Sequence, residues 1–277
     1  MTFICGDRSI DLSTPQVMGI LNATPDSFSD GGKFNTIEGA LNHARIMVDQ
    51  GASIIDVGGE STRPGAAAVS VQQELDRVIP VIEKIHAQLD VCISVDSSSP
   101  EVFVAAKQAG AHMLNDVRAL QRAGALQAAR QTGLPVCLMH MQGEPKSMQK
   151  NPHYQHVIQE VSDFLSARIL ACLNAGIENH QIIIDPGFGF GKTLEDNYLL
   201  LAKLESLAVL GVPILIGLSR KSMIARVLND APVAGRVAGS VAGAVIAAMN
   251  GARIIRVHDV KETVDALKVV QATVAQL

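Results

Sequence analysis

Residues 91–116, VCISVDSSSPEVFVAAKQAGAHMLND, run from one apolar stretch to the next through a single helical pattern. The first stretch, 91–95, is almost wholly apolar and stops at Asp96. Such a run fits a strand covered on both faces, as parallel strands under helices are, better than a strand with one wet face. Ser99-Pro100-Glu101 then offers a capping hydroxyl, a proline at the first helical position and an acid facing the positive end of the helix dipole. Gly110 closes the pattern where left-handed geometry is tolerated. Residues 112–114 then launch a second run, which stops at Asn115-Asp116.

The same unit recurs outward in both directions. Run 17–21 ends at Asn22, 54–57 at Gly58-Gly59-Glu60-Ser61, 136–139 at His140 and 182–184 at Asp185. Run 214–218 ends at Ser219-Arg220-Lys221, and 254–257 carries Arg256 and ends at His258-Asp259. Gly51 and Gly251 repeat the punctuation of Gly110, while Gly133-Leu134-Pro135 and Gly211-Val212-Pro213 add a proline that forbids further helix. Eight βα units in 277 residues match a (β/α)8 TIM barrel, which takes about 250 residues. A doubly wound open sheet is the competing α/β architecture. In a barrel, the polar residues at the strand ends gather at one mouth.

No composition break divides residues 1–277, so a single domain is expected. No apolar stretch approaches the roughly 20 residues of a membrane span, and the first residues lack a basic-then-apolar leader, so a soluble cytoplasmic protein is expected. Cys5, Cys92, Cys137 and Cys172 form no CxxC pair and read as reduced, buried residues. A net charge of −4, 3% aromatics and no tryptophan argue against nucleic acid as a partner.

Gly187-Phe188-Gly189-Phe190-Gly191-Lys192 looks like a P-loop, but three residues separate Gly187 from Gly191-Lys192 where the phosphate cradle needs four. It reads either as a mobile glycine loop or as a ligand contact. His140 and His258 lack the helical spacing of a zinc site and read as neutral hydrogen-bonding residues. The mouth should collect Asn22, Asp96, Asn115, Asp185, Lys221, Arg256 and His258. Carboxylates and an amide match a flat heterocycle with an amidine-like donor edge. The cations suit phosphate oxygens, and arginine can also stack its plane on a ring. Two polar loops, 22–32 and 58–65, are long for βα connections and are expected to move.

The stretches Asn22-Ala23-Thr24-Pro25-Asp26-Ser27-Phe28-Ser29-Asp30-Gly31-Gly32, Asp56-Val57-Gly58-Gly59-Glu60-Ser61-Thr62-Arg63-Pro64-Gly65, Asp185-Pro186-Gly187-Phe188-Gly189-Phe190-Gly191-Lys192 and Ser219-Arg220-Lys221-Ser222 resemble the signatures of bacterial dihydropteroate synthase. The resemblance runs over residues 17–271, with Asn115-Asp116 and Arg256-Val257-His258 in register. It implies a pterin-binding TIM barrel that joins 6-hydroxymethyl-7,8-dihydropterin diphosphate to 4-aminobenzoate, is inhibited by sulfonamides and works as a homodimer. It also implies that Asp96, Asn115, Asp185 and Lys221 bind the pterin, while Arg256 stacks on it and holds the diphosphate with His258 and Asn22. Asn22 is the implied Mg2+ contact. Thr62, Arg63, Pro64, Phe28 and Phe190 would enclose the aminobenzoate, with Ser219 and Ser222 near its carboxylate. Asp96, Asp185, Lys221 and Arg256 would carry the catalysis.

Two departures stand out. After Asp96 the family commonly has a threonine and soon a lysine, where this chain has Ser97-Ser98-Ser99, and Ala23 replaces a usual valine. A pterin-binding barrel of a folate-dependent methyltransferase and a non-catalytic pterin-binding paralogue are the rival functions. The small-residue stretch Ala238-Gly239-Ser240-Val241-Ala242-Gly243-Ala244 would serve either a dimer contact or packing against the barrel.

Overall fold

The computed structural model describes residues 1–23, 37–60, 69–143, 148–149 and 152–276. An antiparallel hairpin, β1 (Thr2–Cys5) and β2 (Arg8–Asp11), precedes eight strands. These are β3 (Gln16–Asn22), β4 (Ile54–Gly58), β5 (Cys92–Asp96), β6 (Met113–Asp116), β7 (Val136–Met139), β8 (Ile182–Asp185), β9 (Leu215–Ile216) and β10 (Ile254–Val257). They lie parallel in the order β8-β7-β6-β5-β4-β3-β10-β9. A bridge between Ile184 and Ile214 joins the two ends, so the sheet closes into the expected barrel. The helices are α1 (Ile37–Asp49), α2 (Val71–Gln88), α3 (Pro100–Ala109), α4 (Ala125–Thr132), α5 (Val157–Asn174), α6 (Leu194–Ala202), α7 (Ser222–Val227), α8 (Val237–Met249) and α9 (Val260–Val274).

Strand periodicity of two sorts the side chains into two sets. Leu21, Ile55, Val57, Ile93, Val95, Leu114, Val136, Leu138, Ile182, Ile184, Ile216, Ile255 and Val257 belong to the large core shared with the helices. The other parity fills the barrel. Toward the amino-terminal end one residue from each strand joins a single apolar cluster: Met18, Ile54, Cys92, Met113, Cys137, Ile183, Leu215 and Ile254. Phe3, Cys5, Ile10 and Leu12 of the hairpin segment join that cluster, so the hairpin plugs the amino-terminal end. Two residues further along each strand, the inner positions become Ile20, Asp56, Ser94, Asn115, Met139, Asp185, Gly217 and Arg256. The interior thus changes from a dry floor to a polar layer within about one strand repeat of 7 Å.

The glycines at 51, 110, 133, 211 and 251 all have positive φ, with Gly51 at +103° and Gly110 at +102°. Three sequence readings need correction. Ser99 stands at the N-cap of α3 but does not cap it; its hydroxyl donates to Glu74 Oε2 at 3.1 Å and accepts from Arg122 at 3.0 Å. The charged Arg122 donor takes the place at the oxygen that a backbone amide would fill in a cap, and Glu74 fixes the direction of the hydroxyl. The run 214–218 yields only a two-residue strand, because Gly217 departs from the ladder toward a turn at Arg220. The hairpin went unseen because its residues alternate between exposed and buried instead of forming a continuous apolar run.

The small-residue stretch packs within the chain. A Cβ at Gly239 would lie 2.5 Å from Ile224 Cγ2, and one at Gly243 would lie 2.6 Å from Leu218 Cδ1. All four cysteines are free and buried. Among the described residues, no helix is long and apolar enough to cross a membrane.

Candidate active site

Arg256, on the inner face of β10, is the hub of the polar layer. Its Nε donates to Asp56 Oδ2 at 2.6 Å and its Nη2 to Asp96 Oδ2 at 2.8 Å. Asn115 Nδ2 also donates to Asp56 Oδ2, at 3.1 Å. Asp56 is fully buried, and its second oxygen has no hydrogen-bond partner; the hydroxyl of Ser94, its register partner on β5, has none either. Such orphaned atoms mark a place made to receive a polar group.

Burial works against the Arg256 charge, but Asp56 and Asp96 outweigh it and raise its pKa. Burial lifts Asp96 to about 7, opposed by Arg256 and reinforced by Asp56. One guanidinium shared between two carboxylates leaves Asp96 poised between protonation states near neutral pH. It can present either an acceptor or a donor to a ligand edge.

Across the barrel, Asp185 ends β8 with its carboxyl raised in pKa by burial and partly restored by Lys221. Its Oδ1 accepts the Gly187 amide at 2.7 Å. The glycine loop beyond it is tied at one backbone group after another. Lys221 Nζ donates to Phe188 O at 2.5 Å, Gly189 N donates to Asn197 Oδ1 at 2.7 Å, and Tyr154 donates to Gly191 O at 2.8 Å. Lys192 Nζ donates to Gly187 O and Phe190 O at 2.9 and 3.2 Å. Those bonds overturn the reading of this segment as a mobile loop. A Cβ at Gly187 would lie 1.9 Å from the His140 carbonyl oxygen, so only glycine lets the backbone pass so close. Phe190 is buried, and Lys221 Nζ lies 4.4 Å from the centre of its ring. Burial draws Lys221 down to about 8, with Asp185 opposing.

The turn after β9 carries the third wall. Ser219 Oγ lies 3.1 Å from His258 Nδ1 and accepts the His258 amide at 3.2 Å. Arg220 holds φ at +58°, uncommon for a non-glycine residue. Four bonds fix it there: its amide donates to Ser240 Oγ at 2.8 Å, its carbonyl accepts from Arg236 at 2.9 Å, its Nε donates to Asp259 Oδ2 at 2.9 Å, and its Nη2 donates to Asp259 Oδ1. Arg220 therefore faces away from its neighbours Ser219 and Lys221 in role: they face the mouth, and it anchors the turn. Lys221 stands at the N-cap of α7, and Ser222, the first residue of that helix, is exposed.

With this geometry in view, likeness to known proteins decides the family. A model described as "Pterin binding enzyme" matches residues 18–258. The dihydropteroate synthase of Escherichia coli strain K12 is 58% identical over 275 residues, covering 99% of this chain and 97% of that protein. The chain belongs to the dihydropteroate synthase family. Membership makes it an enzyme of the transferase class. The Yersinia pestis dihydropteroate synthase, solved as a sulfonamide drug complex, superposes with a TM-score of 0.96 at 56% identity, covering 99% of this chain and 100% of that one. The Xanthomonas albilineans synthase, solved with 4-aminobenzoic acid, gives 0.94 at 52% identity over 99% and 98% of the two chains. The same enzyme with 7,8-dihydropteroate gives 0.92 at 49% identity over 99% of each.

Of the residues that the family resemblance implied, the structure brings Asp96, Asn115, Asp185, Lys221, Arg256, Phe190, Ser219 and His258 to the carboxyl end of the barrel. Asn22 ends β3 at the same rim, in register with Gly58. Phe28, Thr62, Arg63 and Pro64 lie outside the described residues. Asp56 and Lys192 are the groups that residue-by-residue reading passed over. Asp56 had a signal, an acid inside the apolar run 54–57; Lys192 had one only in its resemblance to a P-loop lysine.

Proposed function

We propose that the chain condenses 6-hydroxymethyl-7,8-dihydropterin diphosphate with 4-aminobenzoate to give 7,8-dihydropteroate and pyrophosphate, as a cytoplasmic homodimer. The observation that carries this reading is one mouth that combines the carboxyl groups of Asp56, Asp96 and Asp185 with Asn115, Lys221 and Arg256 in a chain of this family. Asp96, Asn115 and Asp185 would meet the donor edge of the pterin, and Lys221 its carbonyl side. Arg256 commits two of its five N–H donors to Asp56 and Asp96. Three remain for the ring and the diphosphate, beside His258.

The electron-rich dihydropterin can share positive charge with its exocyclic methylene as the C–O bond breaks. Asp96 and Asp185 would stabilise that charge, while Arg256 and His258 receive the departing oxygens, all of them held in place before the reaction. The arylamine is neutral at pH 7 and attacks the methylene without a general base; the ammonium so formed then loses its proton to the departing pyrophosphate or to water. Phe190 would form an apolar wall for its ring, with Phe28, Thr62, Arg63 and Pro64 closing over it. Sulfonamides would compete for that subsite.

The amide oxygen of Asn22 is a hard ligand of the kind magnesium prefers. When bound there, Mg2+ would supply charge neutralisation to the leaving diphosphate. The exposed apolar side chains Ile246, Met249, Val269 and Val274, on α8 and α9, support the second-copy contact.

The test is pyrophosphate release by the purified protein with the pterin diphosphate and magnesium, with and without 4-aminobenzoate, alongside identification of the product. Release coupled to dihydropteroate formation is expected. Tight pterin binding without condensation would overturn the reading in favour of a methyltransferase-like barrel or a non-catalytic binder.

A further inference from the structure

Lys192 takes no part in the chemistry above, yet it is 3% exposed and its head is held against the loop that follows Asp185. Its three N–H donors meet three acceptors: His140 Nδ1 at 2.9 Å, Gly187 O at 2.9 Å and Phe190 O at 3.2 Å. All three acceptors are uncharged. Burying a lysine head without a carboxylate in hydrogen-bond range is costly, and the head directs its bonds to the loop's carbonyls and to His140. Burial brings Lys192 down to about 7, with Asp185 opposing, and burial together with Lys192 drives His140 down to about 3. His140 is therefore neutral, with Nδ1 free to accept and its proton on Nε2. Phe164 packs edge-on against that imidazole at 4.9 Å between ring centres, which fixes its plane.

The two carbonyls that Lys192 grips are not arbitrary ones. Gly187 supplies the amide that orients Asp185, and Phe190 supplies the ring beneath Lys221. A second lysine, Lys221, holds the intervening Phe188 carbonyl. We propose that Lys192, seated on His140, is a positioning residue: it locks the 187–191 loop in the conformation that aims Asp185, Phe190 and Lys221 at the two substrates. This rests on the synthase reading of the site. Lys192 follows its glycine loop as a P-loop lysine does, but its head turns inward onto protein carbonyls instead of outward to phosphate.

Steady-state kinetics with both substrates, together with calorimetric binding of the pterin diphosphate and thermal unfolding, test the proposal on the full chain. Lys192→Met keeps the stem and removes the donors. Its KM for 4-aminobenzoate and its Kd for the pterin diphosphate should each rise about tenfold or more, the scale of losing hydrogen bonds from a charged donor, with kcat changed less. His140→Asn places an amide oxygen near the position of Nδ1 and should stay within about threefold of wild type, while His140→Leu, lacking the acceptor, should follow Lys192→Met. This pair decides the matter if Lys192→Met does not fold. A folded Lys192→Met that binds both substrates like wild type, or a drop in melting temperature with KM and Kd unmoved, overturns the proposal. So does equal behaviour of His140→Asn and His140→Leu. Failure of the wild type to make dihydropteroate would instead refute the synthase reading, and the pterin affinities would still judge Lys192.

Discussion

Replacing Asp96 by asparagine should make the protein more stable and less able to bind its substrate. Asp96 titrates at about 7 in the folded chain against an ordinary 3.8. Between those values the folded form holds a proton that the unfolded form has lost, so the stability contributed at this site falls as pH rises from about 4 to about 7. A displacement of about three pH units, at about 1.4 kcal/mol each, caps the penalty at about 4 kcal/mol above neutral pH. Asn removes that penalty while leaving Arg256 its bond to Asp56. Thermal unfolding of Asp96→Asn should therefore move upward by several degrees at pH 8, with the gain fading as pH falls toward 4. Binding runs the other way. The ionised fraction of Asp96 rises from about a tenth at pH 6 to about nine-tenths at pH 8, so wild-type affinity for the pterin should rise about tenfold over that range. Calorimetry on both proteins with the same ligand removes the ligand's own titration from the difference. Lower stability of Asp96→Asn at pH 8, or the same pH slope of binding in both proteins, would refute the reasoning.

Gly187→Ala places a Cβ 1.9 Å from the His140 carbonyl oxygen at a φ of +69°; stability should fall by about 2 kcal/mol or more, read by denaturant melts, with substrate binding lost alongside. Arg220→Gly keeps the left-handed turn accessible but removes the partner of buried Asp259. Stability should fall by about 3 kcal/mol, the cost of stranding a buried charge, read by thermal unfolding, with KM for aminobenzoate rising as the turn loosens; unchanged stability would refute the anchoring role. Stripping divalent cations with a chelator should suppress turnover until Mg2+ is returned, and Asn22→Ala should raise the Mg2+ concentration needed for half-maximal rate. Turnover indifferent to the chelator would remove Asn22 from the diphosphate site.

The barrel was legible because most strands are continuous apolar runs that end in a polar residue, and because glycine marks five of the returns. Asp96, Asn115 and Asp185 stood out for the same reason: each interrupts an apolar run at its carboxyl end. Asp56 did not, since it lies one step inside its run and its role depends on Arg256, 200 positions away. The hairpin was missed because its alternation is that of any short amphipathic strand. Ser99 misled because a capping position says nothing about a buried glutamate arriving from another helix. The tied state of the glycine loop also could not be read locally, for its partners come from Asn197, Tyr154, Lys192 and Lys221.

The ring of strands closes at β8 and β9 through a two-residue strand and a single bridge, where other neighbours share longer ladders. That seam is the mechanical weak point of the cylinder. Asp185 stands on one side of it and Lys221 on the other. A flat ligand gripped by both would act as a rivet across the joint, adding to the fold the stiffness that the backbone leaves out there. Amide exchange at Ile184, Ile214 and Leu215 should then slow when the pterin is bound, more than at the fully laddered β3–β4 edge. Substrate recognition and closure of the barrel become one event, seen from its two ends.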